Sequence, residues 1–267
     1  MSRTTQPTVT TELRRLGFRT PEPALNALLQ DATKRRLSPT QFCEGMVALE
    51  RRERDHRNLA RRTRAATLGS FKPLEQFDWN HPRSIDRNLY EWLTTLEFVC
   101  QGHNALLRGQ SGVGKTMLAQ NLGLTALQEG LRVRFVTLAA ALADLLRQES
   151  LPALERRLRR YNTPELLIID EIGYLPCDNR SADMLFHIIS TRHEARSIVI
   201  TTNLAFKQWS KIFPGAACVG ALIDRFVQHC HVLDIDAESW RQKESIQTKE
   251  TKKRKTAATR ARAKTRS

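Results

Sequence analysis

Apolar side chains recur every three or four residues through the first part of the chain, which is the spacing of amphipathic helices. One short helix is predicted around Leu13, and a second around residues 25–29. Ser38 followed by Pro39 is typical of an N-cap and a first helical position, so a long third helix begins there. Because this helix runs into an arginine-rich stretch, we predict an all-helical N-terminal domain over residues 1–68 whose last helix is basic.

Short apolar runs alternate with helical stretches in the remainder of the chain. Strands are predicted at residues 105–107, 132–138, 166–169, 197–201 and 231–235, and helices at about 84–98, 117–130 and 139–160, the last interrupted near Pro152. The wholly apolar run at 166–169 is typical of a strand that is covered on both faces. Strands separated by helices predict a parallel sheet flanked by helices, so we expect an α/β domain over residues 69–247.

A phosphate-binding loop is the most specific motif in the chain. Residues 109–116 read Gly-Gln-Ser-Gly-Val-Gly-Lys-Thr and lie between a predicted strand and a predicted helix. Backbone N–H groups in such a loop, together with the N-terminus of the helix, bind the phosphates of a nucleoside triphosphate. Lys115 is expected to reach the β- and γ-phosphates and Thr116 to bind Mg²⁺, whereas the alternative is a glycine-rich turn with a surface lysine. The residues predicted to contact the nucleotide are Gly109, Gln110, Ser111, Gly112, Val113, Gly114, Lys115 and Thr116.

Two adjacent carboxylates follow the apolar strand at 166–169. Asp170 is predicted at the carboxyl edge of the sheet, where ligands bind, and is expected to hold Mg²⁺ through water. Glu171 is expected to orient and polarise the water that attacks the γ-phosphate, which makes it a candidate catalytic residue. The alternative for Glu171 is an acid at a helix start, where the helix dipole favours negative charge.

Two further residues are candidates for a catalytic role. Asn203 ends the strand at 197–201 and is expected to hydrogen-bond the γ-phosphate or the attacking water, although asparagine in this position is often only a turn residue. Arg225 follows Asp224 on a predicted helix and is a candidate arginine finger that reaches the γ-phosphate bound by a neighbouring subunit. That role requires an oligomer, and the alternative is a surface ion pair.

The formal net charge of +15 is concentrated in two segments. Residues 51–64 contain seven arginines against two acids, and residues 249–266 contain nine Lys and Arg residues against one acid. Such blocks are usually nucleic-acid contacts or solvated segments, and two of them beside a nucleotide-binding domain indicate a polyanionic partner. We predict that residues 248–267 form a basic, disordered tail.

Hydropathy and cysteine usage indicate the cellular compartment. No apolar run approaches the roughly 18 residues of a membrane span, and the N-terminus lacks the apolar stretch of a secretory signal. The five cysteines are scattered, without a Cys-x-x-Cys pair, which predicts reduced thiols in a cytoplasmic protein with no membrane partner. The cluster His229-Cys230-His231 suggests a metal site, but adjacent strand residues point to opposite faces, so this interpretation is the less favoured one.

The order of the motifs resembles that of the IstB family, AAA+ helper ATPases encoded beside the transposase in one group of bacterial insertion sequences. The resemblance covers about residues 40–247. Its motifs are the phosphate loop, Leu-Leu-Ile-Ile-Asp-Glu-Ile-Gly-Tyr-Leu-Pro at 166–176, Thr-Thr-Asn at 201–203, Asp-Arg at 224–225 and Ser-Trp-Arg at 239–241. Met117 and Trp240 depart from the family pattern, which has histidine and tyrosine in these positions.

The resemblance implies a fold, a partner set and a reaction. The fold is an AAA+ P-loop NTPase with a five-stranded parallel sheet in the order 5-1-4-3-2 and an additional helical stretch at 139–160. The implied cofactors are ATP and Mg²⁺, and the implied partners are double-stranded DNA, a cognate transposase and further copies of the chain with ATP at the subunit interfaces. Arg241 is a candidate for a second sensor. The residues expected to face DNA phosphates are Arg156, Arg157, Arg159 and Arg160.

Two other functions share these motifs. A DnaC-type replicative helicase loader has the same ATPase core but binds single-stranded DNA and a helicase. A nucleotide-gated DNA-binding scaffold binds ATP and hydrolyses it hardly at all. The motifs and the charge alone predict a DNA-associated ATPase, and the transposition helper is favoured by the resemblance.

Overall fold

A computed structural model describes residues 9–173 and 177–240, and the chain divides into two compact units with the boundary between Arg62 and Thr63. The predicted tail at 248–267 and the candidate second sensor Arg241 lie outside the described residues, as do residues 174–176. Three helices are present in the N-terminal part of the chain, and their bounds are α1 Val9–Arg15, α2 Glu22–Arg35 and α3 Pro39–Ala66.

The first unit is stabilised by polar contacts of α3. Ser38 and Gln41 form a reciprocal capping pair, in which the Ser38 hydroxyl accepts the Gln41 N–H at 3.2 Å and the Gln41 side chain accepts the Ser38 N–H at 2.9 Å. Glu50 is buried and accepts backbone N–H groups from Arg19 and Thr20 at 2.8 and 3.0 Å. Burial acts to raise the pKa of Glu50, but the hydrogen bonds from Arg54 and these residues outweigh it and lower the pKa to about 2.

The second unit contains a six-stranded sheet in the order β1-β6-β2-β5-β4-β3. Strands β2 to β6 are paired in parallel, and their order is the predicted 5-1-4-3-2 when they are numbered from β2. The strands are β1 Ser84–Ile85, β2 Asn104–Gly109, β3 Val133–Thr137, β4 Leu166–Ile172, β5 Ser197–Thr202 and β6 Cys230–Asp236. The predicted α/β fold is therefore confirmed, with one additional strand.

The segment before β2 departs from its prediction. The predicted helix over 84–98 is wrong, because residues 84–85 form β1, which pairs antiparallel with the edge strand β6. The helix begins only after Asp86, whose carboxylate caps it, and it ends where Leu96 adopts a left-handed backbone with φ of 63°. Helices α4 Arg87–Thr94 and α5 Glu97–Cys100 replace the single predicted helix.

Helices cover both faces of the sheet. The side chains at 166–169 in β4 point alternately to the two faces and are no more than 1% exposed, so both faces of this strand are covered. The stretch at 139–160 forms two helices, as the proline near its middle suggested. The helices of this unit beyond α5 are α6 Lys115–Gln128, α7 Leu138–Leu146, α8 Leu151–Asn162, α9 Asn179–Arg192 and α10 Val219–Val227, and the 3₁₀ turns are Leu74–Gln76 and Phe206–Lys211.

A buried arginine connects the end of α9 to the end of α8 and to the beginnings of β4 and β5. Arg192, at the end of α9, is fully buried and donates to the carbonyls of Tyr161, Pro164, Glu165 and Ser197 at 2.7 to 3.0 Å. Burial, together with the neighbouring Arg196, lowers the pKa of Arg192 to about 9. The charge is tolerated because four carbonyl oxygens replace water. Among the described residues, no helix has the length and apolarity to cross a membrane.

Candidate nucleotide-binding site

The phosphate loop connects the end of β2 to α6 and depends on glycine at three positions. Gly112 and Gly114 have φ of +82° and +98°, a region that disfavours L side chains. A Cβ on Gly109 would collide with the carbonyl oxygen of Ile235, and one on Gly114 would lie 2.7 Å from the ring of Phe77. Neighbouring segments therefore pack directly against the loop backbone.

Lys115 lies inside the loop at the first position of α6. It is 6% exposed, and its ammonium group donates to the carbonyls of Gly109 and Gln110 at 2.7 Å each. This folds the long side chain back over the loop that a triphosphate would occupy. The ammonium group is thereby placed among the N–H groups expected to surround the β- and γ-phosphates.

Thr116 and Asp170, the two candidate metal-binding residues, are in direct contact. The Thr116 hydroxyl lies 3.0 and 3.1 Å from the two carboxylate oxygens of Asp170. Asp170 is 3% exposed and also accepts a hydrogen bond from the Thr201 hydroxyl. A buried carboxylate surrounded by hydroxyl groups fits Mg²⁺, which prefers oxygen ligands and retains water.

Glu171 departs from regular strand geometry although it lies within β4. Its φ of 64° is left-handed, and the pairing of β4 with β5 shifts register between Ile169 and Ile172. Its N–H is satisfied by the Thr201 hydroxyl at 3.0 Å, and its side chain is exposed on the wall of the cavity described below. The structure thus places Glu171 inside β4 and not at a helix start, which was the alternative interpretation.

A cavity of about 430 Å³ lies beside Lys115, Thr116, Glu171 and Thr201. Its lining includes residues 111–117, which are the end of the phosphate loop and the start of α6, together with Glu171 and Thr201. The remaining lining residues are ones that motif reasoning did not assign to the site, namely Ser70, Phe71, Lys72, Gln76, Phe77, Asp78, His81, Gln120 and Trp240. The volume and the phosphate loop in the lining suit a phosphorylated ligand.

Two segments outside the phosphate loop also line the cavity, one with Phe77 and His81 and the other with Trp240. The backbone N–H of Trp240 donates to the Gly112 carbonyl at 3.0 Å, so the chain after β6 is attached to the phosphate loop. The rings of His81 and Trp240 meet edge to face at 4.8 Å, and Phe77 packs edge to face on Trp79 at the same distance. The aromatic residues at 77 and 79 and the Ser-Trp-Arg motif were visible in the sequence, but their approach to the loop was not.

Asn203 and Arg225 lie outside the lining of this cavity. Asn203 follows β5 directly and is exposed, and its side-chain oxygen lies 3.0 Å from where a Cβ on Gly173 would be. Arg225 contacts α9, where its guanidinium group donates to the Ser190 hydroxyl and lies 4.9 Å from the centre of the Phe186 ring. In the single chain, Arg225 is therefore packed against its own subunit.

The four arginines of α8 divide into two pairs. Arg157 and Arg160 lie 3.6 and 3.9 Å from the carboxylate of Asp144 in α7, which also accepts the Tyr161 hydroxyl at 2.8 Å. Arg156 and Arg159 are the other pair, and both are exposed on the surface of α8. Asp144 partly neutralises the charges of Arg157 and Arg160. The positive electrostatic field that α8 presents to solvent therefore comes mainly from Arg156 and Arg159.

Three histidine side chains lie close together near β6. His229 and His231 lie on one face and are joined by His103, whose ring is 4.8 and 5.7 Å from theirs. Within the part of the chain that the structure describes, no group of three or more His, Cys, Asp and Glu side chains has a metal-binding arrangement. Burial, followed by the nearby His103, lowers the pKa of His231.

Comparison with known sequences places the site in a family context. The profile described as IstB-like ATP binding protein matches residues 11–248. A protein described as the ATP-binding protein of insertion sequence IS21, from Pseudomonas aeruginosa, is 36% identical over 220 residues, covering 82% of this chain and 83% of its own. The corresponding protein of IS232 from Bacillus thuringiensis subsp. berliner is 35% identical over 206 residues, covering 76% of this chain and 82% of its own.

Solved structures agree with the architecture. A DNA replication initiation factor superposes with a TM-score of 0.52 at 19% identity, covering 67% of this chain and 54% of its own. DnaI superposes with a TM-score of 0.50 at 17% identity, covering 62% of this chain and 89% of its own. At these identities the likeness concerns the fold alone, and it confirms the predicted AAA+ arrangement.

Proposed function

Because the chain belongs to the family of IstB-like ATP-binding proteins, we propose that it is the ATP-dependent helper of an insertion-sequence transposase. It assembles with ATP and Mg²⁺ on duplex target DNA and delivers that DNA to the transposase, and hydrolysis of ATP resets the assembly. The descriptions of the relatives as ATP-binding proteins of insertion sequences support the transposition context. The helper acts in the cytoplasm, where bacterial DNA lies.

The observation that carries this proposal is that the start of α6 and the carboxyl end of β4 come together at the cavity, where Lys115, Thr116 and Glu171 line the wall and Asp170 contacts Thr116 from behind it. Lys115 and Thr116 come from the start of α6, whereas Asp170 and Glu171 come from the carboxyl end of β4. Binding of ATP requires only Lys115, Thr116 and Asp170, since these side chains supply the contacts to the phosphates and to Mg²⁺. An exposed carboxylate on the cavity wall adds a group that can accept a proton, which favours hydrolysis over a passive scaffold.

In the proposed hydrolysis, Glu171 accepts a hydrogen bond from a water molecule aligned with the γ-phosphorus of ATP. The water oxygen forms a bond to phosphorus while the bond to the β–γ bridging oxygen breaks, and the water proton passes to the Glu171 carboxylate. Lys115 balances the charge on the phosphate oxygens. Mg²⁺, held through Asp170 and Thr116, would neutralise charge that develops on the β- and γ-phosphates.

Duplex DNA is proposed to contact the exposed face of α8. Arg156 and Arg159 are one helical turn apart and exposed, whereas Arg157 and Arg160 share Asp144. We assign the main phosphate contacts to the first pair and a supporting role to the second. Arginine contacts to phosphate carry no base specificity, so the helper binds duplexes with little sequence preference.

Assembly into a homo-oligomer is proposed to place Arg225 against ATP on a neighbouring subunit. The Arg225 side chain then exchanges its contacts with Ser190 and Phe186 for the γ-phosphate across the interface. Asn203 follows β5 and stands beside the turn after Glu171, a position suited to respond to the γ-phosphate. Light scattering on duplex DNA should therefore show particles that grow with ATP and shrink with ADP.

Fluorescence anisotropy with labelled duplex and single-stranded DNA tests the DNA part of the proposal. We expect ATP-dependent binding that prefers the duplex, and Lys115→Ala should remove the ATP dependence. Lys207→Ala is a matched control, because Lys207 is exposed and does not line the cavity. A preference for single strands, together with capture of a replicative helicase in place of the transposase, would instead identify a DnaC-type loader.

A further inference from the structure

Strand β4 contains a β-bulge at Asp170 and Glu171, the two carboxylates of the candidate site. Residues 170–171 together stand opposite Thr201 alone, because the pairing with β5 shifts register between Ile169 and Ile172. A bulge leaves one residue of the longer strand unpaired and turns its side chain away from the regular alternation. Glu171 is that residue, since it has the left-handed φ of 64°.

One hydroxyl group compensates for the missing pairing. The Thr201 hydroxyl accepts the Glu171 N–H at 3.0 Å and donates to the carboxylate of Asp170. A hydroxyl group has one donor and two acceptor sites, so both bonds form at the same time. Thr201 is 1% exposed, which removes competition from bulk water. The group therefore connects the metal-site carboxylate directly to the backbone of the neighbouring glutamate.

We propose that Thr201 is a positioning residue for ATP hydrolysis. Its hydroxyl fixes Asp170 and Glu171 in one mutual arrangement, so that the carboxylate of Glu171 faces the attacking water while Asp170 faces the metal. Thr201 itself accepts no proton from the water and touches the reacting atoms only through these two residues. The inference rests on the proposed hydrolysis and gives a role to the first threonine of the Thr-Thr-Asn motif, in which the sequence alone indicated a role only for Asn203.

The test compares Thr201→Val with Thr201→Ser in steady-state ATP hydrolysis by the full chain with Mg²⁺ and duplex DNA. Valine keeps the shape and removes the hydroxyl, whereas serine keeps the hydroxyl. We expect kcat of Thr201→Val to fall about tenfold or more, since at least one hydrogen bond that orients Glu171 is lost. The KM for ATP should change by less than about threefold, and Thr201→Ser should retain kcat within about threefold of the wild type.

The outcomes separate a positioning role from a structural one. Loss of kcat in Thr201→Val with rescue in Thr201→Ser supports the inference. A wild-type kcat in Thr201→Val overturns it, and so does an equal loss in both variants. If Thr201→Val does not fold, Thr201→Ala replaces it in the comparison with serine, because these two side chains differ only in the hydroxyl group.

A second readout does not depend on hydrolysis. Amide hydrogen exchange of Glu171, resolved to the single residue, should accelerate about tenfold or more in Thr201→Val and stay near the wild-type rate in Thr201→Ser. If the wild-type chain binds ATP without hydrolysing it, the proposed function fails, and the exchange rates still report whether Thr201 holds the bulge. Unchanged exchange in Thr201→Val would overturn the inference independently of the proposed function.

Discussion

Replacing Gly114 with alanine tests whether the phosphate loop depends on the close approach of Phe77. The φ of Gly114 is +98°, and an added Cβ would lie 2.7 Å from the Phe77 ring. The ring is packed against Trp79 with centroids 4.8 Å apart, so it cannot move aside without losing that contact. The substitution therefore introduces backbone strain and a steric conflict together.

The cost of backbone strain can be separated from the cost of the steric conflict, because Gly130 has a similar φ without a close neighbour. An L side chain in the left-handed region costs about 1–2 kcal/mol, and displacing a packed side chain costs about 1–3 kcal/mol more. We expect Gly114→Ala to lower the free energy of unfolding by about 2–5 kcal/mol. Gly130 has φ of +91° with nothing within 4 Å of an added Cβ, so Gly130→Ala should cost only the strain.

Urea denaturation followed by circular dichroism measures these free energies for the wild type, both alanine variants, Phe77→Ala and the double variant of Gly114 and Phe77. Removing the ring should relieve the conflict and give a coupling energy of roughly 1–3 kcal/mol between positions 77 and 114. Equal costs for the two glycine substitutions, with a coupling below about 0.3 kcal/mol, would refute the close approach.

Further predictions concern the core, the histidine cluster and the DNA surface. Arg192→Met should lower the free energy of unfolding by about 3–5 kcal/mol in urea denaturation, because four carbonyls lose a charged donor, and no loss would contradict this. Because the folded pKa of His231 is lowered, its contribution to stability is present above the unfolded pKa of 6.5 and lost as the pH falls, so His231→Gln should flatten the decline of Tm below that pH. Alanine at Arg156 and Arg159 together should reduce the slope of log affinity against log salt by about two in anisotropy titrations, whereas Arg87→Ala, paired with Glu91, should leave the slope unchanged.

The sequence predicted the fold because its strongest signals are local. The apolar run of β4 and the glycine pattern after β2 each specify an element within a few residues, and the sheet order followed from the family resemblance. Strand β1 was missed because two residues are too short for an alternating pattern. The break at Leu96 was missed because leucine gives no signal for a left-handed backbone.

The parts of the site that were missed depend on contacts between distant segments. Nothing in the order Asp170-Glu171 indicates a bulge, since the register of β4 is set by its pairing with β5. The four arginines of α8 look equivalent in sequence, and only the position of Asp144 in the preceding helix separates them. Likewise, the approach of Trp240 to Gly112 joins residues more than a hundred positions apart.

The rate of ATP hydrolysis by Glu171→Gln, measured with Mg²⁺ and duplex DNA, tests the central claim most directly. The amide keeps the size of the side chain but cannot accept the proton, so we predict an ATP affinity near that of the wild type and a kcat lower by about 100-fold or more. The variant should also remain on duplex DNA as an ATP-bound assembly, and Glu129→Gln, an exposed control on the same unit, should behave as the wild type. Hydrolysis by Glu171→Gln at the wild-type rate would contradict the account.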